Sequence, residues 1–221
     1  MKDKLKKGLE SLGVRGVDNK MLTQQVLFVE ELLRWNKKIN LTAITATEDV
    51  IEKHLLDSLI LMPMLHDKGR ILDVGSGAGL PVIPLAIAMP EKQFFSIDSV
   101  GKKINFQKHI KRLLGLQNLE IMCARIEETS MSGAGWSDMD AVLARAVGSL
   151  EFLLNLAMPV LRPGGVLLAM KGPEGDEELQ KLDCKWQTTY KLPRHATRYL
   201  LPFSGAQRSL IECAIIPQQN V

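Results

Sequence analysis

The chain has 221 residues, 46% of them hydrophobic, and a formal net charge of +3. That length supports one sizeable core with a small extension, and no apolar run reaches the ~18 residues of a membrane span. Three cysteines, Cys123, Cys184 and Cys213, lack metal-ligand spacing and leave one unpaired under any disulfide scheme, so free thiols in a reducing cytoplasm are expected and no metal site is.

The first 65 residues read as helical. Asp18 is a good cap, and Met21, Leu22, Val26, Phe28, Val29, Leu32 and Leu33 recur mostly three and four apart. The helix should end near Trp35-Asn36-Lys37-Lys38, with Ile39-Asn40-Leu41-Thr42 as a turn. Thr45-x-x-Glu48 reads as a capping box. It opens a helix through Val50, Ile51, Leu55, Leu56, Leu59 and Ile60 that is interrupted near Pro63. His54, Asp57 and Ser58 share one face of it, either bordering a catalytic cleft or making local hydrogen bonds. The start, Met1-Lys2-Asp3-Lys4-Leu5-Lys6-Lys7, lacks the apolar segment of a signal peptide.

From Arg70 the pattern alternates strand and helix. Arg70-Ile71-Leu72 is a strand, Asp73-Val74-Gly75-Ser76-Gly77-Ala78-Gly79-Leu80-Pro81 a glycine turn, and Val82 to Ala88 an apolar helix. Ligands of such sheets sit at the carboxyl ends of the strands. The dinucleotide fingerprint fails, because Leu80 stands where a third glycine belongs, and no Walker lysine follows. Asp73 would repel a phosphate. A cationic ligand with a nucleoside end fits better, and S-adenosylmethionine carries a sulfonium, an ammonium and a ribose. The next strand, Phe94 to Asp98, ends in an acid 23 residues after Gly75, placed to accept ribose hydroxyls. The alternative is a tight turn whose strand-end acids cap neighbouring helices.

A basic helix should span Gly101 to Leu114, followed by the strand Leu119 to Cys123, with the peptide of Ile126 and Glu127 placed to contact a base. Asp140 to Ala144 is the fourth strand, ending at Arg145-Ala146. A helix over 149–161 is closed by Pro163-Gly164-Gly165. Val166 to Met170 is the fifth strand, ending at Lys171-Gly172. A short acidic helix occupies 174–182, and Lys185 to Leu192 with Arg208 to Ile216 make a final antiparallel pair. The expectation is a seven-stranded, Rossmann-like α/β sheet over 66–221 with a helical extension over 1–65 packed on it.

With the cofactor over the first strands, the substrate falls over the fourth and fifth, where Arg145 and Lys171 stand. Each could instead pair with an acid or snorkel. No Asn/Asp-Pro-Pro-aromatic loop follows the fourth strand, and no cysteine nucleophile sits at the fourth or fifth strand end. That leaves an acceptor already carrying a lone pair, such as guanine N7, which needs positioning and no general base. Cations can hold the guanine's acceptor edge, so Arg145 is assigned to O6 or phosphate. Residues 1–40 and 181–221 each carry +4 and the middle −5, an asymmetry compatible with a phosphate backbone or with ordinary solvated faces. A small-molecule methyltransferase shares the same cofactor half; a non-catalytic RNA-binding module and a dinucleotide oxidoreductase fit the loop less well.

The sequence resembles the small-subunit ribosomal RNA guanine-N7 methyltransferases, long called glucose-inhibited division protein B. The likeness covers nearly the whole chain: Trp35 to Thr42, His54-Leu55-Leu56-Asp57-Ser58-Leu59, Asp73 to Pro81, Asp98-Ser99, Arg145-Ala146 and Met170-Lys171-Gly172. The glycine loop is common to many methyltransferases, whereas the first two stretches are particular to this family. Residues 201–208 match the family's usual end only loosely. The resemblance implies a bacterial cytoplasmic enzyme, class I in fold, that takes S-adenosyl-L-methionine and methylates one guanine in the decoding region of 16S rRNA, free or in the 30S subunit. A monomer without an obligate protein partner is expected. The resemblance also implies cofactor contacts at Gly75, Leu80, Ile126, Glu127 and Arg145, beside those read from the loop at Asp73, Gly77, Gly79 and Asp98, and it raises His54 and Asp57 to site residues with Arg145 and Lys171.

Overall fold

The structure is a computed structural model that describes residues 1–125, 136–182 and 184–216. Helix α1 (Lys2–Ser11) and α2 (Asn19–Ile39) lead into α3, residues 47–59, whose centre, Ile51–Leu56, is π-helical. Then come β1 (Arg70–Val74), α4 (Val82–Ala88), β2 (Gln93–Asp98), α5 (Gly101–Leu114), β3 (Leu119–Cys123), β4 (Met139–Arg145), α6 (Leu150–Ala157), β5 (Leu161–Lys171), α7 (Gly175–Gln180), β6 (Tyr190–Lys191), β7 (Thr197–Leu200) and β8 (Gln207–Ile215).

The sheet order is β3-β2-β1-β4-β5-β8-β6, with β7 also paired to β8. The first five strands run parallel, and β8 is antiparallel to β5. Ser209 and Leu210 pair with β5 on one edge of β8 and with β7 on the other. So β6 and β7 lie in line along the outer edge, as one strand position broken in two. The seven expected positions are present, filled by eight strands among the described residues. The expected strand Lys185 to Leu192 is instead a 3-10 turn, Cys184–Thr188, followed by Tyr190–Lys191, and β7 is the piece the sequence reading missed.

Alternation along each strand sends side chains to two apolar layers. Ile71, Phe94, Leu143 and Leu168 face a layer built with α1 to α5, which includes Leu5, Leu9, Phe28 and Phe106. Leu72, Phe95, Val142 and Leu167 face the other, with α6, Trp186 and Tyr190. The helices before β1 therefore share an apolar layer with the sheet.

Three local expectations are corrected. Helix α3 starts at Thr47 with Ala46 as its cap, and no side-chain capping bond forms there; Glu48 pairs with Lys4 of α1 instead of closing a box with Thr45. Pro163-Gly164-Gly165 lies within β5 beside a register shift against β4, where a bulge tolerates proline, and so does not close a helix. Helix α6 stops at Ala157, short of the expected 161. Asp18 does cap α2, accepting from the Met21 amide at 2.6 Å.

Candidate active site

The glycine loop is fixed from beneath by buried polar groups. Ser96 on β2 sits 2.7 Å from the Ser76 hydroxyl and 2.6 Å from Gln107 Oε1 of α5, while Gln107 Nε2 donates to Ser76 Oγ and to Gly77 O at 2.8 Å. Two glycines are sterically required. Gly75 has φ +64°, and a Cβ there would lie 2.5 Å from Val147 Cγ2; Gly79 has φ +83°, and its Cβ would meet Ile83 Cδ1 at 2.3 Å.

A cavity of about 250 Å³ opens beside this loop, lined by Gly75, Asp98, Ser99, Ala124, Arg125, Val147, Phe152 and Leu156 among others. Asp98 Oδ2 accepts from the Gly77 amide and Oδ1 from the Val100 amide, both at 2.8 Å. Four lone-pair directions on a carboxylate leave room for ribose hydroxyls as well. Asp73 lies fully buried under the loop. Its Oδ2 accepts from the Val82 amide at 3.2 Å, and its Oδ1 has no partner among the described residues. Burial pushes its carboxyl up to about 8, the Val82 hydrogen bond and the Arg145 charge only partly opposing this. A buried acid with one oxygen unmatched, an acid at the next strand end, and an apolar wall of Phe152 and Leu156 fit a cationic ligand with a nucleoside end.

Leu80 is buried in the core and absent from the cavity wall; its amide donates to Ser76 O. Gly77 and Gly79 likewise shape the loop without lining the cavity. Ile126 and Glu127 lie outside the described residues.

A second cavity, of about 470 Å³, opens over the ends of β4 and β5; its wall includes Lys53, His54, Asp57, Arg145, Val147, Lys171, Glu178 and Arg208. Here the structure brings together residues that lie far apart in the chain. Arg145 Nη1 donates to Lys53 O at 3.1 Å and to Asp57 Oδ2 at 3.3 Å, and Nη2 lies 3.3 Å from His54 Nδ1. His54 Nδ1 also lies 3.1 Å from Lys53 O, and its Nε2 lies 2.8 Å from Thr42 Oγ1, so both ring nitrogens are engaged. Burial and then the Arg145 charge lower His54 to about 4, so the ring is neutral near pH 7. Asp57 also accepts from the Tyr199 hydroxyl at 2.9 Å and lies 3.7 Å from Arg208 Nε. Burial first, then the Asp57 charge, holds the Tyr199 phenol well above its ordinary value.

The local sequence explains this convergence. Asn36 Oδ1 accepts from the amides of Leu41 and Thr42, and its Nδ2 donates to Thr42 O, folding the chain back after α2 so that Thr42 reaches His54. The π-helical turn then presents Asp57 and the Lys53 carbonyl to Arg145, as widened turns at functional sites do. Ser58 makes a local hydrogen bond, donating to His54 O at 2.6 Å.

Lys171 ends β5 with its side chain nearly buried, donating to Gly148 O at 2.8 Å and pairing with Glu178 at 2.9 Å. Glu178 also accepts from the Leu150 amide, which ties the start of α6 to the end of β5. Both strand-end cations are therefore paired with acids and line the cavity at once. Sequence reasoning missed Thr42, Val147, Phe152 and Tyr199 as wall or support. Thr42 ends a stretch already marked by the resemblance; Val147 and Phe152 carry no polar signal, and Tyr199 lies on the strand that was not foreseen.

Residues 21–208 match the family model for rRNA small subunit methyltransferase G. The ribosomal RNA small subunit methyltransferase G of Syntrophotalea carbinolica is 41% identical over 96% of each chain. Its namesake from Geobacter metallireducens is 41% identical over 95% of this chain and 94% of the relative. Among solved structures, a SAM-dependent O-methyltransferase from Thermotoga maritima superposes with a TM-score of 0.57 at 16% identity, covering 88% of this chain and 73% of that one, a likeness of fold alone. The chain is a member of the rRNA small subunit methyltransferase G family.

Proposed function

We propose that this chain transfers the methyl group of S-adenosyl-L-methionine to ring nitrogen 7 of a guanine in the decoding region of 16S rRNA, free or within the 30S subunit. The observation that carries the reading is the pair of adjoining cavities, one with Asp98 and apolar groups in its wall over β1 to β3, the other with Arg145 and Lys171 over β4 and β5. The family membership supports the reaction class and the RNA substrate. The setting is the bacterial cytoplasm, and no helix among the described residues is long and apolar enough to cross a membrane. The chain acts as a monomer, with 1–65 as a helical extension on the methyltransferase domain of 66–221.

Bound in the smaller cavity, the cofactor supplies an electrophilic methyl on a sulfonium. Asp98 holds the ribose hydroxyls, Asp73 sets a carboxyl beneath the loop, and Phe152 with Leu156 gives the apolar wall. Three bases of the larger cavity are engaged: buried His54 by Arg145 and Thr42, buried Asp57 by Arg145 and Tyr199, and half-buried Glu178 by Lys171. That suits an acceptor with a lone pair and no proton to lose. N7 would attack the methyl that the bound cofactor supplies, and no residue of the cavity would have to remove a proton from it. Arg145 is placed to hold guanine O6 or an adjacent phosphate while leaving N7 clear.

The test is incubation with methyl-labelled cofactor and ribosomal RNA from cells lacking the enzyme, as free 16S RNA and as 30S subunits. Label in 7-methylguanosine is expected, and the preferred form identifies the substrate state. Label in another nucleoside would discard N7 as the acceptor.

A further inference from the structure

We propose that Val147 is the partition between cofactor and substrate, and that its size sets how the acceptor meets the methyl group. This rests on the proposed reaction. Among the described residues Val147 is the one that lines both cavities, the 250 Å³ space beside the glycine loop and the 470 Å³ space over β4 and β5. A methyl transfer between them has to pass where they adjoin, with the reacting atoms about 3–3.5 Å apart and aligned.

The backbone is bent to place this side chain there. Ala146 has φ +56° and Gly148 φ +42°, so Val147 is flanked by two left-handed residues. That conformation is disfavoured for a residue bearing a Cβ, and it persists where the surroundings impose it, commonly at functional sites. Two close approaches hold the turn. Val147 Cγ2 sits where a Cβ on Gly75 would lie 2.5 Å away, and the Phe152 ring sits where a Cβ on Gly148 would lie 2.6 Å away. Lys171 fixes the same turn from the other side by donating to Gly148 O. The isopropyl group is thus held over the glycine loop from both sides, half-buried, with one side toward each cavity.

A wall in this position acts on the step between the sites more than on either site. Shortening it would let the base settle out of line; enlarging it would keep the acceptor away from the methyl. Val147 carries no proton and no charge, so it is a positioning residue, acting through the distance between two bound partners.

The test is a graded series, Val147→Leu and Val147→Phe, in the full chain. Cofactor affinity is measured by calorimetry, RNA affinity by filter binding, and turnover by label transferred to 7-methylguanosine. The expected result is that both affinities stay near those of the wild type while kcat falls from Leu to Phe, by ~100-fold or more for Phe, the scale of an ångström's misplacement. Should Val147→Phe fail to fold, as read from its melting curve, the Leu variant carries the test through its split between kcat and KM. Wild-type turnover in the folded Phe variant overturns the proposal, as does a loss of cofactor affinity in step with turnover, which would make Val147 a wall of the smaller cavity only. If the wild type itself forms no 7-methylguanosine while binding cofactor, the proposed reaction falls and this role falls with it.

Discussion

The guanidinium of Arg145, at the end of β4, is held 3.3 Å from the carboxylate of Asp57 in α3, a residue 88 positions earlier. Asp57 is nearly buried and answers Tyr199 and Arg208 as well. Removing it leaves the half-buried Arg145 without its carboxylate. Asp57→Ala should lower stability by about 3 kcal/mol, read from denaturant unfolding. Turnover should fall at least ~10-fold as Arg145 loses its anchor. Full stability and activity would show that Lys53 O and His54 alone hold Arg145.

Tyr199 offers a finer test of the same cluster. Tyr199→Phe keeps the ring and deletes one hydrogen bond to Asp57. The expected loss is about 1 kcal/mol, and the fall in turnover should be smaller than for Asp57→Ala. A loss as large as that of Asp57→Ala would mean that the hydroxyl does more than steady the carboxylate.

Asp98 holds two backbone amides and faces the smaller cavity. Asp98→Ala should weaken cofactor binding severely, by ~100-fold or more given charge-assisted bonds of about 1.5–3 kcal/mol each. Unchanged affinity by calorimetry would remove it from the ribose site.

Asp73 gives a pH signature. Its folded carboxyl is raised to about 8, against about 3.9 in an unfolded chain. Between those values the folded state binds the extra proton, so this group's contribution to stability is full below pH 4 and declines as pH rises toward 8. Asp73→Asn should flatten that decline. Its stability measured from pH 4 to 8 should therefore hold up better toward pH 8 than the wild type's. His54 works in the opposite sense: lowered to about 4, it costs stability as pH falls from 6.5, so the comparison is made between variants at each pH.

Much of this was legible in the chain itself. Strands ending at Asp98 and Cys123 and the helix Gly101–Leu114 follow from apolar runs punctuated by glycine and acids. So does the sheet's parallel half. The broken edge strand was not legible, because β6 has two residues and β7 four, too short for alternation to register. In the site, residue types at strand ends pointed to Asp98, Arg145 and Lys171. Local spacing could say that His54 and Asp57 share a face but not that Arg145 meets them, since that contact depends on the π-helical turn and on the fold of β4. The pairing of both cations with acids is tertiary for the same reason.

The same π-helical turn binds the hairpin of β7 and β8 at two points. Asp57, just past the turn, takes the Tyr199 hydroxyl on β7, and Glu52 Oε1 within it accepts the amides of Phe203 and Ser204 at the hairpin's tip, both at 2.7 Å. These contacts span 142 to 152 positions of sequence. A chain emerging from the ribosome can therefore assemble α1 to α5 and the parallel strands long before the Arg145 cluster is complete. Long-range closures of this kind form late and slowly. A chain folding from its first residues would consequently have its glycine loop in place while its larger cavity still lacked the wall that Arg208 supplies.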